Sequence, residues 1–474
     1  MKKGDVLELD ITSYAFEGKG IAKINADGED GKNFVIFVEG AYPGDRVEAK
    51  IVKVKKSYAE AKTLGVITPS AERITARCTY FGTCGGCKQQ DLDYSSQLNY
   101  KHGQVKDIFE RIGGFKSFEF NSIVPSEKIY FYRNKMEYSF SDRRWLTADE
   151  IASGTEFDRS FSLGLHIPGM FDKVLDIHEC FLQSELSNSV LNFTREFFVN
   201  QGIDIYSTKT HTGYLRNLVI KTAHHTDDFM VNLVTSTDDE QLMSAYTTAL
   251  IAAMPAVTTV VNNVNTKKAQ IATGEYEKVY YGPGYIYDSI GSYRFRISAN
   301  SFFQTNTLQA EKLYQTAMNF GAFQKDEVIY DLYSGAGTIS IFASGHVREV
   351  YAFETVEAAV ADAEENKILN GIDNVHFITA DLNKSFLDKI KLNSIPSPDA
   401  VILDPPRSGM NPVTVADVVK LEPEKIVYIS CNPATQARDI KLFNAEGYSL
   451  MKVKPVDMFP HTYHIENVAL LVKD

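Results

Sequence analysis

Cysteine is scarce in this chain, with five among 474 residues. The count is odd, and the opening Met1-Lys2-Lys3-Gly4-Asp5 lacks the apolar stretch of a secretory signal. A disulfide framework is therefore not expected, and a reducing cytoplasm is. No run of about 18 apolar residues occurs, so neither a transmembrane helix nor a membrane partner is expected. Internal repeats and low-complexity tracts are also missing, which argues against solenoids and arrays. Nothing in the sequence calls for an obligate protein partner. A basic excess is absent too: 49 Lys and Arg face 61 Asp and Glu, for a net charge of −12. That balance argues against generic electrostatic capture of nucleic acid. The charge is uneven, however. Residues 1–140 hold 21 basic and 19 acidic side chains, so the acidic excess lies in the remainder. Lys50, Lys53, Lys55, Lys56 and Lys62 fall close together, a run that fits either a solvated strand face or a nucleic-acid contact.

The cysteines that are present all sit in chemically suggestive contexts. Cys78, Cys84 and Cys87 form C-x5-C-x2-C, and Gly85-Gly86 let the backbone fold tightly around a bound centre. Cys180 stands alone, and Cys431 lies in Ser430-Cys431-Asn432-Pro433. Thiolates are soft ligands and strong nucleophiles, so a quartet plus one loop cysteine points to a metal centre and a catalytic sulfur. For any one of them alone, buried structural cysteine is the competing reading. Four thiolates suit a closed zinc site as well as an iron–sulfur cluster.

The length suggests two to four domains. Residues 1–68 read as short strands. Val6–Ile11 and Val47–Val54 alternate, and Gly18, Gly20, Gly28, Gly31, Gly40 and the turn Tyr42-Pro43-Gly44-Asp45 punctuate them. A small β-barrel of the OB kind is expected there. The cysteine segment follows, then a helix over 94–112. Residues 130–290 read as an α+β region, with runs such as Asn217–Lys221 and Phe229–Val234. Beyond about 292 the pattern becomes strand, glycine loop, helix, repeated. Strands are expected at 328–332, 349–353, 375–379, 400–403 and 425–429. This predicts a doubly wound α/β domain whose ligands bind at the carboxyl ends of the strands.

Three loops in that domain carry the chemistry. In Asp331-Leu332-Tyr333-Ser334-Gly335-Ala336-Gly337-Thr338, the glycines permit close approach to a ligand at a strand-to-helix turn. Glu354 lies 17 residues beyond Gly337, near the spacing of a ribose-binding acid, and Asp381 ends the next strand. Acids after three consecutive strands fit an adenosine site, with NAD and S-adenosylmethionine both open. In the second loop, Asp404-Pro405-Pro406-Arg407, a strand delivers a carboxylate ahead of a rigid diproline. In the third, Asn432 fits a helix N-cap and Pro433 a first helical residue. Cys431 is then expected beside a positive helix end that favours its thiolate. Glu466, next to the apolar run Asn467–Leu470, is a candidate proton acceptor whose pKa burial would raise.

With these residues in view, nearly the whole chain resembles the RNA uridine-5 methyltransferases. The pairing of Asp404-Pro405-Pro406-Arg407 with Ser430-Cys431-Asn432-Pro433 carries the likeness most specifically. Glu17-Gly18-Lys19-Gly20-Ile21-Ala22 and Gly44-Asp45-Arg46-Val47 resemble a TRAM domain, an RNA-binding barrel. Tyr132–Lys135, Gly213–Val219 and Ser301–Asn306 also look like family segments. Ser334 departs from the cysteine that relatives often carry there, at a position that is not the nucleophile. The resemblance implies a TRAM barrel at 1–68, a central iron–sulfur domain at 69–93 and 130–290, and a methyltransferase domain at 94–129 and 291–474. It implies Cys431 as nucleophile towards carbon 6 of uracil and Glu466 as the base that removes the carbon 5 proton. It places Gln304, Tyr333, Thr338, Glu354, Asp381 and Asp404 around S-adenosylmethionine, and Cys78, Cys84, Cys87 and Cys180 on a [4Fe–4S] cluster. The members closest in architecture modify 23S ribosomal RNA, the expected partner; transfer RNA is the alternative substrate. A binding-only protein or a cluster-bearing radical enzyme is the rival class. The radical enzyme's usual C-x3-C-x2-C spacing is not met here.

Overall fold

The computed structural model describes residues 1–25, 33–269 and 271–474; Gly28 and Gly31 lie outside them. In the strand Arg46–Val54 the even-spaced Val47, Ala49 and Ile51 are buried and their neighbours exposed, as a half-buried strand requires. Six strands between Val6 and Thr68 form one sheet around Leu9, Ile36, Val38, Val47, Ile51 and Ala59. The turn at Glu17 and Gly18 has positive φ at both residues, and a Cβ at Gly18 would stand 3.2 Å from Tyr463, near the far end of the chain. Arg73 fastens the barrel to the cysteine segment. Its guanidinium bonds Asp45 at 2.8 Å, pairs with Asp91, and lies 4.5 Å from the ring of Tyr42.

The helix expected over 94–112 runs from Tyr94 to Asp107 and continues as a wider turn, Ile108–Gly113, stopped by Gly114 at φ 75°. The central domain is an eight-stranded mixed sheet in which Leu215–Thr222 pairs with Lys135–Ser141 on one side and Phe229–Thr235 on the other. All seven residues of Phe229–Thr235 are buried, although a solvated antiparallel strand would hide only every second one. Both faces are covered. Val231 and Leu233 pack with the helix residues Leu191 and Tyr246, while Met230 packs into the core of the following domain.

That following domain contains β1 (Val328–Leu332), β2 (Glu349–Glu354), β3 (Val375–Thr379), β4 (Ala400–Leu403), β5 (Lys425–Ser430), β6 (Tyr448–Val456) and β7 (Glu466–Lys473). Their order in the sheet is β3-β2-β1-β4-β5-β7-β6, with Glu119–Phe120 added beside β6. The first five are mutually parallel and β7 runs antiparallel to β5. The hairpin Tyr285–Ile290 with Tyr293–Ser298 spans the boundary expected at 290. Its Ile286, Ile290, Phe295 and Ile297 are buried in one cluster with Ile329, Val350 and Ile402 of this domain.

One segment joins these parts. Between β6 and β7, Asp457 accepts Lys101 Nζ at 2.6 Å and Tyr94 OH at 2.8 Å, with the two charged side chains 1 % and 0 % exposed. Asp457→Ala leaves the Lys101 ammonium buried with no counter-charge and only the Phe459 carbonyl, at 3.2 Å, to accept from it. It is expected to cost about 3–5 kcal/mol of unfolding free energy, read by urea denaturation, and pairing it with Lys101→Met to recover much of that loss.

Candidate active site

The carboxyl ends of β1, β4 and β5 lie side by side, because Leu332 pairs with Leu403 and Leu403 with Tyr428. Tyr333, Asp404 and Cys431 therefore emerge along one edge of the sheet. The antiparallel register of β5 and β7 sets Ser430 opposite Asn467, which starts Glu466 beside Cys431. Gln304, Tyr333, Thr338, Asp404, Cys431 and Glu466 line a single cavity of about 540 Å³.

The local sequence explains how each group is held. Gly337 has φ 78°, and a Cβ there would stand 2.6 Å from the ring of Phe377. Gly335, at φ 54°, has open space where its Cβ would be, so the backbone is free to approach a ligand. Tyr333 takes a left-handed φ of 68° at the end of β1, a conformation that costs energy for a residue with a side chain. Asn432 caps the helix Pro433–Ala445, its Oδ1 accepting Ala434 N at 3.1 Å, as expected. Its Nδ2 also donates to Arg407 O at 3.2 Å. That bond ties the Asp-Pro-Pro-Arg loop to the Ser-Cys-Asn-Pro loop.

The electrostatics of the cavity are unusual. Burial pushes Asp404 up to about 7. Burial, then the neighbouring Asp404, holds Glu466 well above the carboxylate range against the opposing pull of Arg407. Burial, then Glu466 and Asp404, pushes the Cys431 thiol up to about 11. The expectation that a helix end favours the thiolate is thus corrected: desolvation and two carboxyl groups outweigh it.

The four remaining cysteines line a second, largely apolar cavity of about 430 Å³ with Tyr80, Leu165 and Phe181. Gly86 N lies 3.3 Å from Cys84 Sγ and Gln90 Nε2 lies 3.5 Å from Cys87 Sγ, both donating to sulfur. A Cβ at Gly85 would meet His166 O at 2.5 Å, so this glycine is needed for the loop to lie against the central sheet, whereas one at Gly86 would make only ordinary contacts from 3.6 Å. Among the described residues, no three His, Cys, Asp or Glu side chains form a group able to hold one metal ion. Arg133 and Thr462 line both cavities, which share a wall.

Residues 271–474 match the family model described as tRNA (uracil-5-)-methyltransferase, and residues 1–64 match the TRAM domain. An uncharacterized RNA methyltransferase of Chlorobaculum tepidum is 44 % identical over 471 residues, 99 % of this chain and 96 % of that one. The chain belongs to the RNA uracil-5 methyltransferase family. A second uncharacterized RNA methyltransferase, from Porphyromonas gingivalis, is 39 % identical over 98 % of this chain and all of its own. Among solved structures, a Pyrococcus abyssi tRNA (uracil-54, C5)-methyltransferase in complex with S-adenosyl-L-homocysteine is similar. It matches with a TM-score of 0.74 and 28 % identity, covering 98 % of this chain and 99 % of that one. The protein is an S-adenosylmethionine-dependent RNA methyltransferase, and the doubly wound domain is its methyltransferase fold.

Two of the residues expected at the cofactor, Glu354 and Asp381, do not line this cavity. Glu354 Oε2 accepts Gly335 N at 2.9 Å and so braces the glycine loop. Asp381 turns to its own loop, accepting Asn383 N at 3.0 Å and pairing with Lys384 at 3.2 Å. The structure does not bring it to the cavity wall. Conversely, Arg133, Phe302, Phe459 and His464 line the cavity and had no assigned role. Arg133 and Phe302 lie in stretches whose family likeness was legible without their function. The raised thiol predicts that alkylation of Cys431 by iodoacetamide accelerates with pH up to about 11, because the reactive thiolate is lost as pH falls below that value. Glu466→Gln removes one neighbouring charge and should shift this profile to lower pH, as followed by mass spectrometry of the Cys431 peptide.

Proposed function

We propose that the enzyme methylates carbon 5 of a uridine through a covalent bond between Cys431 Sγ and carbon 6. The observation that carries this reading is the convergence of a thiol, a raised carboxyl and a second buried carboxyl in one cavity. Carbon 5 of uracil is a weak nucleophile. Sγ adds to carbon 6, and the ring's π electrons move through carbon 5 onto oxygen 4 as an enolate. S-adenosylmethionine, when bound, supplies the methyl that carbon 5 accepts. The carbon 5 proton then passes to Glu466, whose raised pKa suits it to take a proton. The electrons left at carbon 5 expel Sγ from carbon 6 and restore the double bond. The Cys431 thiol, held at about 11, must itself give up a proton first; we assign the Asp404 carboxylate to receive it, which leaves Glu466 ionised for the carbon 5 proton. Gln304, Tyr333, Thr338 and Asp404 are the wall residues we assign to S-adenosylmethionine, with Glu354 acting through the glycine loop. The uridine must leave its stack to enter.

The cysteine cavity we read as the seat of a [4Fe–4S] cluster on Cys78, Cys84, Cys87 and Cys180. The N–H groups aimed at sulfur suit ligands that carry charge, and the cavity accommodates a group larger than one ion. Its place between the barrel and the central domain makes the role structural. A reducing cytoplasm belongs to the same reading, since a cluster needs its cysteines as thiolates and not as disulfides.

For substrate we propose 23S ribosomal RNA. With a net charge of −12, recognition must rest on local contacts. The barrel offers one: Lys50 and Lys62 face each other across adjacent strands and both are exposed. Like charges at opposed positions are unfavourable unless a polyanion relieves them. Transfer RNA is the second reading, favoured by the Pyrococcus abyssi neighbour, which spans the same full length and is named for a transfer RNA position.

Cys431→Ala should abolish methylation and capture of 5-fluorouridine RNA while leaving S-adenosylmethionine binding intact. Glu466→Gln should accumulate the methylated adduct, seen as a slow-migrating band on a denaturing gel. Efficient methylation of unmodified transfer RNA, with none on 23S fragments, would overturn the ribosomal reading. Anaerobically purified protein that is brown and carries about four irons per chain is expected; a colourless protein with one zinc would refute the cluster.

A further inference from the structure

Phe302 and Gln304 form part of the catalytic cavity's wall, yet they lie on a connection without helix or strand, between Tyr293–Ser298 and the helix Thr307–Gly321. A wall built on such a connection needs anchors, and they come from the central domain. At one end, Asn134 Nδ2 donates to Gln304 O at 2.8 Å and Asn134 N donates to Thr305 O at 2.9 Å. At the other, Lys221 Nζ donates to Ser298 O at 2.7 Å and to Ser301 O at 2.9 Å. Lys221 pairs with Lys135 in the antiparallel register, and Thr222 N donates to Asn134 O at 2.8 Å. The two anchors therefore stand side by side at the end of one strand pair.

Lys221 is only 4 % exposed. Among the described residues it makes no ion pair; the charged groups facing it are Lys135, which disfavours its charge, and Glu277 and Asp362, which favour it. Burial, above all, pushes its amine down to about 7. Placing such a group in a core is costly compared with a methionine of similar length. Its donors nevertheless match the need: the ammonium has three N–H groups and the neutral amine two, so either form satisfies both carbonyls. The turn is held from a third side by Ser301 Oγ, which donates to Asp362 Oδ2 at 2.5 Å.

We propose that Lys221 is a positioning residue for methyl transfer, holding the Ser298–Ser301 turn so that Phe302 and Gln304 stand as a rigid wall of the cavity. It works together with Asn134, and the inference rests on the reading that this cavity takes S-adenosylmethionine. The central domain thereby shapes the methyltransferase pocket directly, through two side chains at the end of its sheet.

The test compares Lys221→Met, Asn134→Ala, their double variant and Gln304→Ala by calorimetric titration with S-adenosylhomocysteine and by amide hydrogen exchange. Lys221→Met is expected to bind about 10-fold more weakly, with faster exchange confined to residues 298–306 and an unchanged circular dichroism spectrum. The double variant should lose less than the product of the two single losses, because both act on one segment. Strictly multiplicative losses, or wild-type binding by Lys221→Met when Gln304→Ala binds poorly, overturn the inference and spare the reading of the cavity. Wild-type binding by both overturns the two together. Lys221→Gln keeps two N–H donors on a stem too short for both carbonyls, and is read in the same way if Lys221→Met does not fold; wild-type binding by it overturns the inference.

Discussion

The buried pair of Lys101 and Asp457 is the contact around which the domains are assembled. Asp457 begins the segment that runs to His464, and every neighbouring part of the molecule takes hold of that segment. Lys88 and Gln89 of the cysteine segment donate backbone N–H to His461 O at 2.8 and 3.0 Å. Tyr132 OH reaches Pro460 O at 3.1 Å, and Asn306 Nδ2 reaches Met458 O at 3.0 Å. Phe459, Thr462 and His464 then face the catalytic cavity. Displacing Asp457 would disturb the cysteine loop and the cavity at once, because a single stretch of backbone serves both.

A second constraint is electrostatic. The cavity must host a thiolate and, in the reading advanced above, an enolate, yet it is lined by two carboxyl groups. Burial resolves the conflict by favouring their neutral forms: Asp404 is pushed up to about 7 and Glu466 is held well above the carboxylate range. Burial also keeps His464 neutral, pushed down to about 4, so it adds no competing charge. Arg133, on the wall, and Arg407, whose charge favours the ionised forms of Cys431 and Glu466, supply positive potential. The sulfonium of the methyl donor would add to it.

Much of this architecture was legible along the chain. The five parallel strands fall at the predicted positions, since buried strands of this fold are short apolar runs with few other solutions. The two proline-bearing loops were also legible as loops, because glycine, proline and asparagine have strong local preferences that do not need a tertiary context; that they belong together was implied by the family resemblance alone. Side-chain environments were less legible. Asp381 follows a strand at a reasonable spacing, and its side chain has amide and lysine partners within its own loop. The helix that Cys431 precedes favours its thiolate, but burial and carboxyl groups distant in sequence outweigh it.

What the sequence by itself determined is therefore the set of local elements and which side chains are chemically able to react. Backbone propensity and apolar periodicity act over a few residues, and thiol or carboxyl chemistry is a property of the side chain. Tertiary structure alone decided which groups share a cavity, how burial retunes their proton affinities, and which remote side chains hold the walls. Lys101, Asn134 and Lys221 look like ordinary polar residues in the chain. Their importance arises only where folding removes them from water and leaves them a few specific partners, because desolvation and long-range pairing have no signature in neighbouring letters.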